Sequence, residues 1–375
     1  MASDRSIAIP PGGSAANPNG GRVAPGSTIG ILGGGQLGRM TALAAAQLGY
    51  RSHIFCPDDD APASQVTPLT TRAGYDDEAA LTRFAQSVDV ITFEFENIPA
   101  GAVRVTGAIK PVRPGLKALE TSQDRVAEKR FFEREGIATA PWRPVMDFPA
   151  LAPALAQIGR PALIKTVRMG YDGKGQARLK DESADLSAAW RSVGGKPCIL
   201  EGMVDFEREI SVIVARGVDG ATRCYEPVEN RHKDGILDTT TVPAPISAPL
   251  AREAEAMAIR AAQALDLVGL LAVEMFVTRD GRILASEMAP RPHNSGHWTM
   301  DAANTSQFEQ LVRAICGLPL GDPSRFADAV MTNLIGDDIA QWPALITEPN
   351  THLHLYGKTE ARPGRKMAHV NRIKR

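Results

Sequence analysis

The stretch from Glu287 to Trp298, EMAPRPHNSGHW, concentrates side chains that can do chemistry. It holds a carboxylate, an arginine, two histidines and an asparagine within twelve positions. The arginine fork binds carboxylates and phosphates through two parallel hydrogen bonds, and histidine can move protons near neutral pH. So polar a segment is unsuited to a core strand, and we interpret it as the centre of a reaction site.

A predicted β-hairpin directly before this stretch places two carboxylates face to face. Two strand-like runs flank the pair Asp280-Gly281, which is a strong hairpin signal. A two-residue turn at this pair puts Glu274 opposite Glu287 on one sheet face, with Cβ atoms about 5 Å apart. Like charges in that arrangement destabilise a sheet unless a cation lies between them.

Glu274 and Glu287 are therefore predicted metal ligands. Mg²⁺ takes oxygen ligands and is commonly held by one or two carboxylates together with substrate phosphates. The alternative is a pair of solvated carboxylates on an exposed hairpin. The arginine and histidines that follow immediately favour the metal.

Composition limits the class of protein. The 375 residues predict two or three domains, and the net charge of −1 favours neither nucleic acid nor an anionic membrane as a partner. The four cysteines lack metal-binding spacing, and no apolar run reaches the roughly 20 residues of a membrane helix. We expect a reduced, cytoplasmic protein. Residues 1–26 are rich in Pro, Gly, Ala, Ser and Asn and are predicted to be a disordered tail.

The first folded segment has the pattern of a doubly wound α/β sheet. A buried strand at 27–32 runs into a glycine-rich turn and a helix, and a second strand follows. Gly33, Gly35 and Gly38 form G-x-G-x-x-G, with Asp58 downstream. This pattern is typical of a dinucleotide site, but it is weak alone because the same glycines can serve the turn and helix packing.

Other polar residues of this segment could contact a different ligand. Gln36 stands at the helix start, where bare N–H groups could bind a phosphorylated substrate. Glu94 and Glu96 share one face of a predicted strand at 88–95. Glu96 lies at its C-terminal end, where open α/β sheets bind ligands, although a solvated strand end is the alternative.

The middle of the chain has a charged helix and a glycine-rich loop. The helix predicted at 121–135 carries Arg125, Glu128 and Lys129, which we interpret as part of a solvated face. A short apolar strand ending in a lysine comes next, followed by the run 170–176. Its backbone could close over phosphates, although a plain hairpin turn has the same composition.

Two later segments suit a nucleoside. The segment 201–204 is similar to a strand that hydrogen-bonds adenine through its backbone. Glu209 opens the following strand, where it could accept hydrogen bonds from the ribose hydroxyls.

A basic run near the C-terminus is predicted to be a turn. Proline and glycine hold residues 358–366, so that Lys358, Arg365 and Lys366 could converge on a phosphate. The alternative is a solvated basic turn.

Together these segments resemble the ATP-grasp superfamily, in which two α+β subdomains hold ATP between them. More closely, the chain is similar to the N5-carboxyaminoimidazole ribonucleotide synthetase family, the ATP-dependent carboxylases of purine biosynthesis. The motifs that carry the resemblance stand in the family's order: GGGQLGRM at 33–40, GYDGKGQ at 170–176, APRPHNSGHW at 289–298 and RPGRK at 362–366. The last two are the specific ones, and the resemblance covers about residues 27 to 373.

The resemblance implies an ATP-grasp fold, mixed α/β and α+β, with a doubly wound, Rossmann-like N-terminal domain. We expect this pre-ATP-grasp domain at 27–118, the ATP-grasp domain at 119–318 and a small β-rich C-terminal domain at 319–375. We also expect a homodimer.

The resemblance further implies the contacts of each substrate. The residues implied for ATP are Arg125, Lys165, Gly170, Tyr171, Asp172, Gly173, Lys174, Gly175, Gln176, Glu201, Gly202, Met203, Val204, Glu209, His232, Ser286 and Glu287. Those implied for aminoimidazole ribonucleotide are Gln36, Leu37, Glu96, Tyr171, Asn294, Ser295, Lys358, Arg365 and Lys366.

The implied reaction joins bicarbonate to the 5-amino group of aminoimidazole ribonucleotide at the expense of ATP. Bicarbonate is a poor electrophile, and its phosphorylation to carboxyphosphate creates a leaving group. The hairpin carboxylates would hold Mg²⁺, Lys174 would lie on the closing loop, and Arg291 would bind bicarbonate or carboxyphosphate. Asp172 or His293 would handle the proton of the amine.

Other classes of protein explain parts of the same sequence. An NAD-dependent oxidoreductase would use residues 27–60 but leaves 287–298 without a role. Another ATP-grasp carboxylate–amine ligase would share the nucleotide residues and differ at 291–298 and 358–366. A non-catalytic nucleotide-binding regulator would bind ATP without turnover.

Overall fold

The structure is a computed structural model that describes residues 21–170 and 175–374. Within these residues the strands form three sheets, and both parallel and antiparallel pairing occur, as the predicted mixed architecture requires. Every helix in the described ranges is too short or too polar to cross a bilayer.

The N-terminal sheet is parallel and ends next to the glycine-rich turn. Its elements are β1 (Thr28–Leu32), α1 (Gln36–Gln47), β2 (Arg51–Cys56), β3 (Leu69–Arg72), α2 (Glu78–Gln86), β4 (Val90–Phe93) and α3 (Ala100–Gly107). The strand order is β3-β2-β1-β4, so the carboxyl end of β4 lies beside that of β1. Because β4 ends at Phe93, the prediction that Glu94 and Glu96 share a strand face is wrong. Both residues lie in the loop beyond the strand.

The prediction that residues 1–26 form a disordered tail is wrong for the part around Val23. The N–H of Val23 donates to the carbonyl of Cys316 at 2.9 Å, and the hydroxyl of Tyr50 donates to the carbonyl of Val23 at 2.8 Å. Residues 1–20 lie outside the described residues, so the prediction of disorder is not tested there.

A small antiparallel sheet follows, with strand order β5-β8-β6-β7. This part of the chain comprises α4 (Leu116–Gln123), α5 (Arg125–Arg134), β5 (Trp142–Val145), α6 (Leu151–Ile158), β6 (Ala162–Thr166), β7 (Gln176–Leu179), α7 (Leu186–Ser192) and β8 (Cys198–Gly202). The helix predicted at 121–135 is divided, because the Asp124 carboxylate accepts the N–H groups of Val126 and Ala127 and caps α5. Arg125 therefore opens α5.

The large antiparallel sheet carries most of the site. Its elements, with the helices between them, are β9 (Phe206–Arg216), β10 (Thr222–Cys224), β11 (Val228–Lys233), β12 (Ile236–Val242), α8 (Ala248–Ala264), β13 (Gly269–Thr278), β14 (Ile283–Ala289), α9 (Thr299–Ala302), α10 (Gln307–Ile315), β15 (Asp328–Ile335), α11 (Trp342–Leu345), β16 (Thr351–Leu355) and β17 (Lys366–Lys374). The order is β14-β13-β9-β11-β12-β15-β17-β16, and β10 pairs with β9. Since β15 pairs with β12, the strands of the predicted C-terminal domain, 319–375, continue this sheet, and the domain bounds stay a prediction.

One hydrophobic core joins the N-terminal sheet to the large sheet. Helix α1 packs against α10, and a single buried cluster includes Ile29 of β1, Ile213 of β9 and Met331 of β15. Burial of this apolar surface holds the loops after β1 and β4 next to the segment that follows β14.

Candidate active site

The turn of the β13–β14 hairpin is longer than predicted. It contains Arg279, Asp280 and Gly281, and the N–H of Thr278 donates to the carbonyl of Arg282 at 2.9 Å. Gly281 has φ +81°, the left-handed region that favours glycine, and closes a turn of the bulged type. The predicted two-residue turn is therefore wrong.

A bulge at Ser286 compensates for the longer turn. Met275 lies opposite Ala285, but the next pair is Glu274 opposite Glu287, which leaves Ser286 as the extra residue. The predicted pairing of Glu274 with Glu287 is confirmed, because the two irregularities cancel.

Each of these carboxylates also has a cationic or hydrogen-bonding neighbour. Nε2 of His293 lies 3.0 Å from Oε1 of Glu274, and Nη1 of Arg125 donates to Oε2 of Glu287 at 3.0 Å. Burial alone would raise the pKa of Glu287, but the charges of Arg125 and Lys165 outweigh it and lower that pKa to about 2. Glu287 is therefore a carboxylate at neutral pH.

The hairpin carboxylates fit Mg²⁺ by the chemistry of their donors. Both offer oxygen, and they face each other across one sheet surface. Among the residues that the structure describes, no group of three or more His, Cys, Asp or Glu side chains could hold a metal alone. A cation here would complete its shell with oxygens from a substrate such as a nucleotide phosphate.

A buried lysine links the hairpin to the small sheet. Lys129 donates to the carbonyl of Ser286 at 2.7 Å and lies 2.9 Å from Oε1 of Glu201. The other oxygen of Glu201 is 2.5 Å from Nζ of Lys165. Burial would raise the pKa of Glu201, but the two lysines lower it well below its ordinary value. The backbone carbonyl of Ser286 thus holds the lysine that orients Glu201, whereas the nucleotide contact implied for Ser286 stays a prediction.

The interpretation of Glu128 and Lys129 as a solvated face is wrong. Both are buried, and Glu128 accepts the N–H of Met288 at 2.7 Å. Burial raises the pKa of Glu128 to about 8, so its carboxyl is largely protonated at neutral pH. The sequence contains a signal for this face, because Arg125, Glu128 and Lys129 share one side of a helix with the buried Phe132.

The segment implied for adenine follows β8. The N–H of Gly202 donates to Pro141, and that of Met203 donates to Pro161, at 2.8 and 3.0 Å. Val204 is therefore the better candidate for an amide that contacts the base. The side chain of Met203 is exposed at this edge and can pack over the base.

Glu209 and His232 are brought together at the neighbouring strands β9 and β11. Nδ1 of His232 is hydrogen-bonded to a carboxylate oxygen of Glu209. Burial would lower the pKa of His232, but this carboxylate outweighs it and raises the pKa above its usual value.

The glycine-rich loop is described only at its ends. The carbonyl of Gly170 accepts a 2.9 Å hydrogen bond from Nη2 of Arg125, and Gly175 and Gln176 lead into β7. The central residues lie outside the described residues, and their implied roles stay predictions: Tyr171, Asp172, Gly173 and Lys174.

The glycine turn after β1 holds a carboxylate of the protein itself. Glu94 accepts the N–H groups of Gly35 and Gly38 at the start of α1, the latter at 2.7 Å. A Cβ on Gly33 would lie 2.4 Å from Cγ of Glu94, so the glycines make room for this side chain. Burial raises the pKa of Glu94. A dinucleotide pyrophosphate would need the same place, so of the two interpretations left open for this motif the structure favours glycines that serve the turn and its packing.

Glu96 and Arg291 join the N-terminal domain to the polar stretch after β14. Nε of Arg291 is hydrogen-bonded to Oε2 of Glu96. Burial would lower the pKa of Arg291, but the carboxylates Glu96, Glu274 and Glu287 outweigh it and raise that pKa. Arg291 therefore stands between the predicted metal ligands and the N-terminal domain.

The start of α1 lies near this pair, because its N–H groups bind Glu94 and the charge of Arg291 acts on the pKa of Glu94. Gln36 is its first residue, whereas Leu37 packs partly against the shared core. The structure thus favours Gln36 over the side chain of Leu37 for a contact with substrate.

Asn294 and Ser295 have different environments. Both polar side-chain atoms of Asn294 are buried and lack a hydrogen-bond partner within the described part of the chain. An amide in that state is suited to receive a ligand. Ser295 is fully buried, and its hydroxyl contacts Ser211 and His293. The Ser295 hydroxyl thus already has two partners within the protein, and the implied contact of Ser295 with substrate stays a prediction.

The basic turn between β16 and β17 is ordered by its own backbone. Nζ of Lys358 donates to the carbonyl of Lys366 at 2.6 Å, and Nη1 of Arg365 donates to that of Glu360 at 2.8 Å. Nε2 of Gln65 donates to the carbonyl of Gly357 at 2.8 Å, and Oε1 of Gln65 accepts from Arg39 of α1 at 3.0 Å, so this turn lies beside α1. The charges of Lys358 and Arg291 both act on the pKa of Glu94, so the turn, Gln36 and Arg291 lie in one region at the start of α1.

The chain is similar along most of its length to proteins of known activity. It is 52% identical over 351 residues to the N5-carboxyaminoimidazole ribonucleotide synthase of Brucella melitensis, covering 93% of this chain and 97% of that one. Its identity to the Bacillus subtilis synthase is 42%, covering 93% and 92%.

Solved structures show the same relationship. An N5-carboxyaminoimidazole ribonucleotide synthetase with bound ADP is 44% identical, with a TM-score of 0.91 and 94% of both chains covered. The Aspergillus clavatus synthase in complex with ADP and 5-aminoimidazole ribonucleotide is 29% identical, with a TM-score of 0.87 and 93% and 94% covered.

Family models match three consecutive segments. They are the ribonucleotide synthetase preATP-grasp domain at 27–123, the ATP-grasp domain at 130–308 and the phosphoribosylaminoimidazole carboxylase C-terminal domain at 329–375. Fold and site together define an ATP-grasp ligase. Within that class, the chain belongs to the N5-carboxyaminoimidazole ribonucleotide synthetase family. The ATP-dependent carboxylation of aminoimidazole ribonucleotide in purine biosynthesis, as predicted from the sequence, is thereby confirmed.

Proposed function

We propose that the cleft between β13–β14, the small sheet and the N-terminal domain phosphorylates bicarbonate and passes the carboxyl group to aminoimidazole ribonucleotide. The observation that carries this proposal is the position of Arg291. Its charge interacts with both predicted metal ligands, Glu274 and Glu287, while its guanidinium is bonded to Glu96 on the opposite wall. A small anion bound by Arg291 would therefore lie between the predicted metal site, where ATP reacts, and the N-terminal domain, where the ribonucleotide would bind.

In the first step, a bicarbonate oxygen attacks the γ-phosphorus of ATP, and the bond to the bridging oxygen breaks as its electron pair moves to ADP. Lys165 and Arg125 neutralise charge on the phosphates, and Glu201 and Lys129 hold Lys165 in place. Mg²⁺, when bound by the hairpin carboxylates, would stabilise the negative charge on the transferring phosphoryl group.

In the second step, the 5-amino nitrogen attacks the carboxyl carbon of carboxyphosphate, and phosphate leaves. The planar fork of Arg291 holds the carboxyl oxygens, and the amine loses one proton to a base. Asp172 remains our candidate for that base. Since carboxyphosphate reacts readily with water, the 170–176 loop must exclude solvent during this step.

The ribonucleotide is placed beside the N-terminal domain. The buried amide of Asn294, with Gln36 and the turn of Lys358 and Arg365, would bind it. The relative solved with both ADP and aminoimidazole ribonucleotide supports a site for each.

We also propose a cytoplasmic homodimer. The cysteines are free thiols, which supports a reducing compartment. Exposed Trp342 of α11, Ile346 directly after it and Leu355 of β16 provide apolar surface that an association could cover. Sedimentation of the purified chain tests the dimer.

The basic turn gives the first prediction. Lys358→Ala and Arg365→Ala should each raise the KM for aminoimidazole ribonucleotide, because a charge-assisted phosphate contact contributes about 1.5–3 kcal/mol, or roughly ten- to a hundredfold in affinity. The KM for ATP should stay unchanged. The measurement is ADP release with each substrate varied in turn.

The matched control is Arg362→Ala, since Arg362 lies in the same turn but is exposed and paired with Glu360. It should leave both KM values unchanged. An equal rise in the KM for ATP in Lys358→Ala and Arg365→Ala would assign the turn to the nucleotide instead.

ADP release from the wild-type chain should also require both bicarbonate and the ribonucleotide.

A further inference from the structure

A chain of buried hydrogen bonds leads from the middle of the large sheet to His293. The hydroxyl of Thr240 donates to Oδ1 of Asn230, and Nδ2 of Asn230 donates to the hydroxyl of Ser211, both at 2.9 Å. The hydroxyl of Ser211 donates to that of Ser295 at 2.7 Å, which lies 2.8 Å from Nδ1 of His293. The first four of these side chains are between 0% and 4% exposed, so water does not compete for their hydrogen bonds.

The order of donors determines where the proton of His293 lies. Because Ser295 accepts from Ser211, its own hydroxyl proton is available to Nδ1 of His293. The backbone N–H of Ser295 also points at Nδ1, at 3.3 Å, and a backbone N–H can only donate. Nδ1 is therefore an acceptor, and the neutral ring carries its proton on Nε2.

That proton faces a predicted metal ligand. Nε2 of His293 lies 3.0 Å from Oε1 of Glu274, so the N–H donates to the carboxylate. With Nδ1 occupied and Nε2 protonated, neutral His293 has no free lone pair for the proton of a substrate amine. This geometry does not suit His293 to take the proton of the amine, the role predicted for either Asp172 or His293.

A buried glutamine holds the backbone of His293 at the same time. Oε1 of Gln307 accepts the N–H of His293 at 2.9 Å, and Nε2 of Gln307 donates to the His293 carbonyl at 2.8 Å. Gln307 is fully buried, and a Cβ on Gly296 would lie 2.6 Å from its Oε1. Backbone and ring of His293 are thus both held, which suits a group whose task is orientation.

We propose that His293 is a positioning residue, kept as the Nε2–H tautomer by Ser295, Ser211, Asn230 and Thr240 so that it orients the carboxylate of Glu274 for the cation. The proposal rests on the proposed role of Glu274. Hydrogen bonds from outside the ligand set orient metal-binding carboxylates, and their loss commonly costs about ten- to a hundredfold in metal affinity or activity.

Two substitutions separate orientation from proton transfer. In His293→Gln the amide can still donate to Glu274, so the Mg²⁺ concentration that half-saturates ATP cleavage should stay near the wild-type value. In His293→Leu it should rise about ten- to a hundredfold. The matched control is His354→Leu, because Nε2 of His354 pairs with Asp301 at 2.7 Å away from the hairpin. It should leave the Mg²⁺ dependence unchanged.

A second measurement is made on the wild-type chain. Nitrogen NMR of the full chain with ring-¹⁵N-labelled histidine, free of Mg²⁺ and nucleotide, should show His293 as the Nε2–H tautomer. Its signals are identified by their absence from His293→Gln. An Nδ1–H ring in the wild-type chain would overturn the tautomer, and equal loss of activity in His293→Gln and His293→Leu would overturn the positioning role.

The outcomes also separate this proposal from the one on which it rests. If the Nε2–H tautomer is present but His293→Leu leaves the Mg²⁺ dependence unchanged, the link from His293 to the cation is contradicted. Turnover by Glu287→Gln then decides independently whether the hairpin holds a metal.

Discussion

Glu287→Gln is expected to lower kcat by at least about 10²- to 10³-fold, the loss seen when one preorganised electrostatic contact to a transition state is removed. The substitution keeps the shape of the side chain but removes a charged oxygen ligand. It also removes the charge that pairs with Arg125 at 3.0 Å. Steady-state ADP release with saturating ATP, bicarbonate and ribonucleotide measures the effect.

The same variant has a predicted effect on stability. Repulsion across the hairpin alone would make Glu287→Gln more stable without Mg²⁺, but Arg125 and Lys165 reverse that sign because they favour the charged carboxylate. Their stabilisation is fully present above the ordinary pKa of 4.5 and is lost as the pH falls through about 2. The variant should therefore have the lower melting temperature at pH 7, and the difference should shrink below pH 4.5.

Glu229→Gln is the matched control. Glu229 is a buried carboxylate that pairs with Arg208 at 2.9 Å, outside the cleft. Its substitution should lower the melting temperature but leave kcat unchanged. Normal turnover by Glu287→Gln would contradict the assignment of the hairpin to the cation.

Arg291→Lys is expected to lower kcat about 10²- to 10³-fold and to raise the KM for bicarbonate. The substitution retains a positive charge to pair with Glu96. A lower kcat would therefore come from the loss of the planar guanidinium and not from an unpaired Glu96 carboxylate. A lysine cannot reproduce the planar fork that binds two carboxyl oxygens at once. Rates with bicarbonate varied at saturating ATP give both constants.

Arg208→Lys serves as the control, because Arg208 pairs with Glu207 and Glu229 away from the cleft. It should leave both constants unchanged. An Arg291→Lys variant with a normal KM for bicarbonate and a higher KM for ATP would assign Arg291 to the nucleotide.

The sequence predicts the parts of this site that depend on local patterns. Asp280-Gly281 and strand alternation predict the hairpin and the pairing of Glu274 with Glu287, but the pairing is right only because the longer turn and the bulge at Ser286 cancel. The same reasoning does not predict the bulge at Ser286. That bulge is stabilised by Lys129, whose position depends on tertiary packing of α5 against the hairpin.

Contacts between distant segments account for most of the errors. Glu94 fills the glycine turn because β4 lies beside β1, and this strand order is not contained in the spacing of the glycines. The sequence feature that could have indicated this contact is the position of Glu94, an acidic residue directly after a buried parallel strand. The hydrogen bonds of Ser211 and Asn230 cross neighbouring strands in the same way, and no local pattern indicates them.

We propose that ATP activates bicarbonate as carboxyphosphate before the amine reacts. Turnover with ¹⁸O-labelled bicarbonate tests it most directly, with the released phosphate analysed by mass spectrometry. Because a bicarbonate oxygen attacks the γ-phosphorus and stays with it when the amine displaces phosphate, one labelled oxygen should appear in each phosphate formed. Phosphate without label during productive turnover would contradict the account, since direct phosphorylation of the amine leaves every bicarbonate oxygen out of the released phosphate.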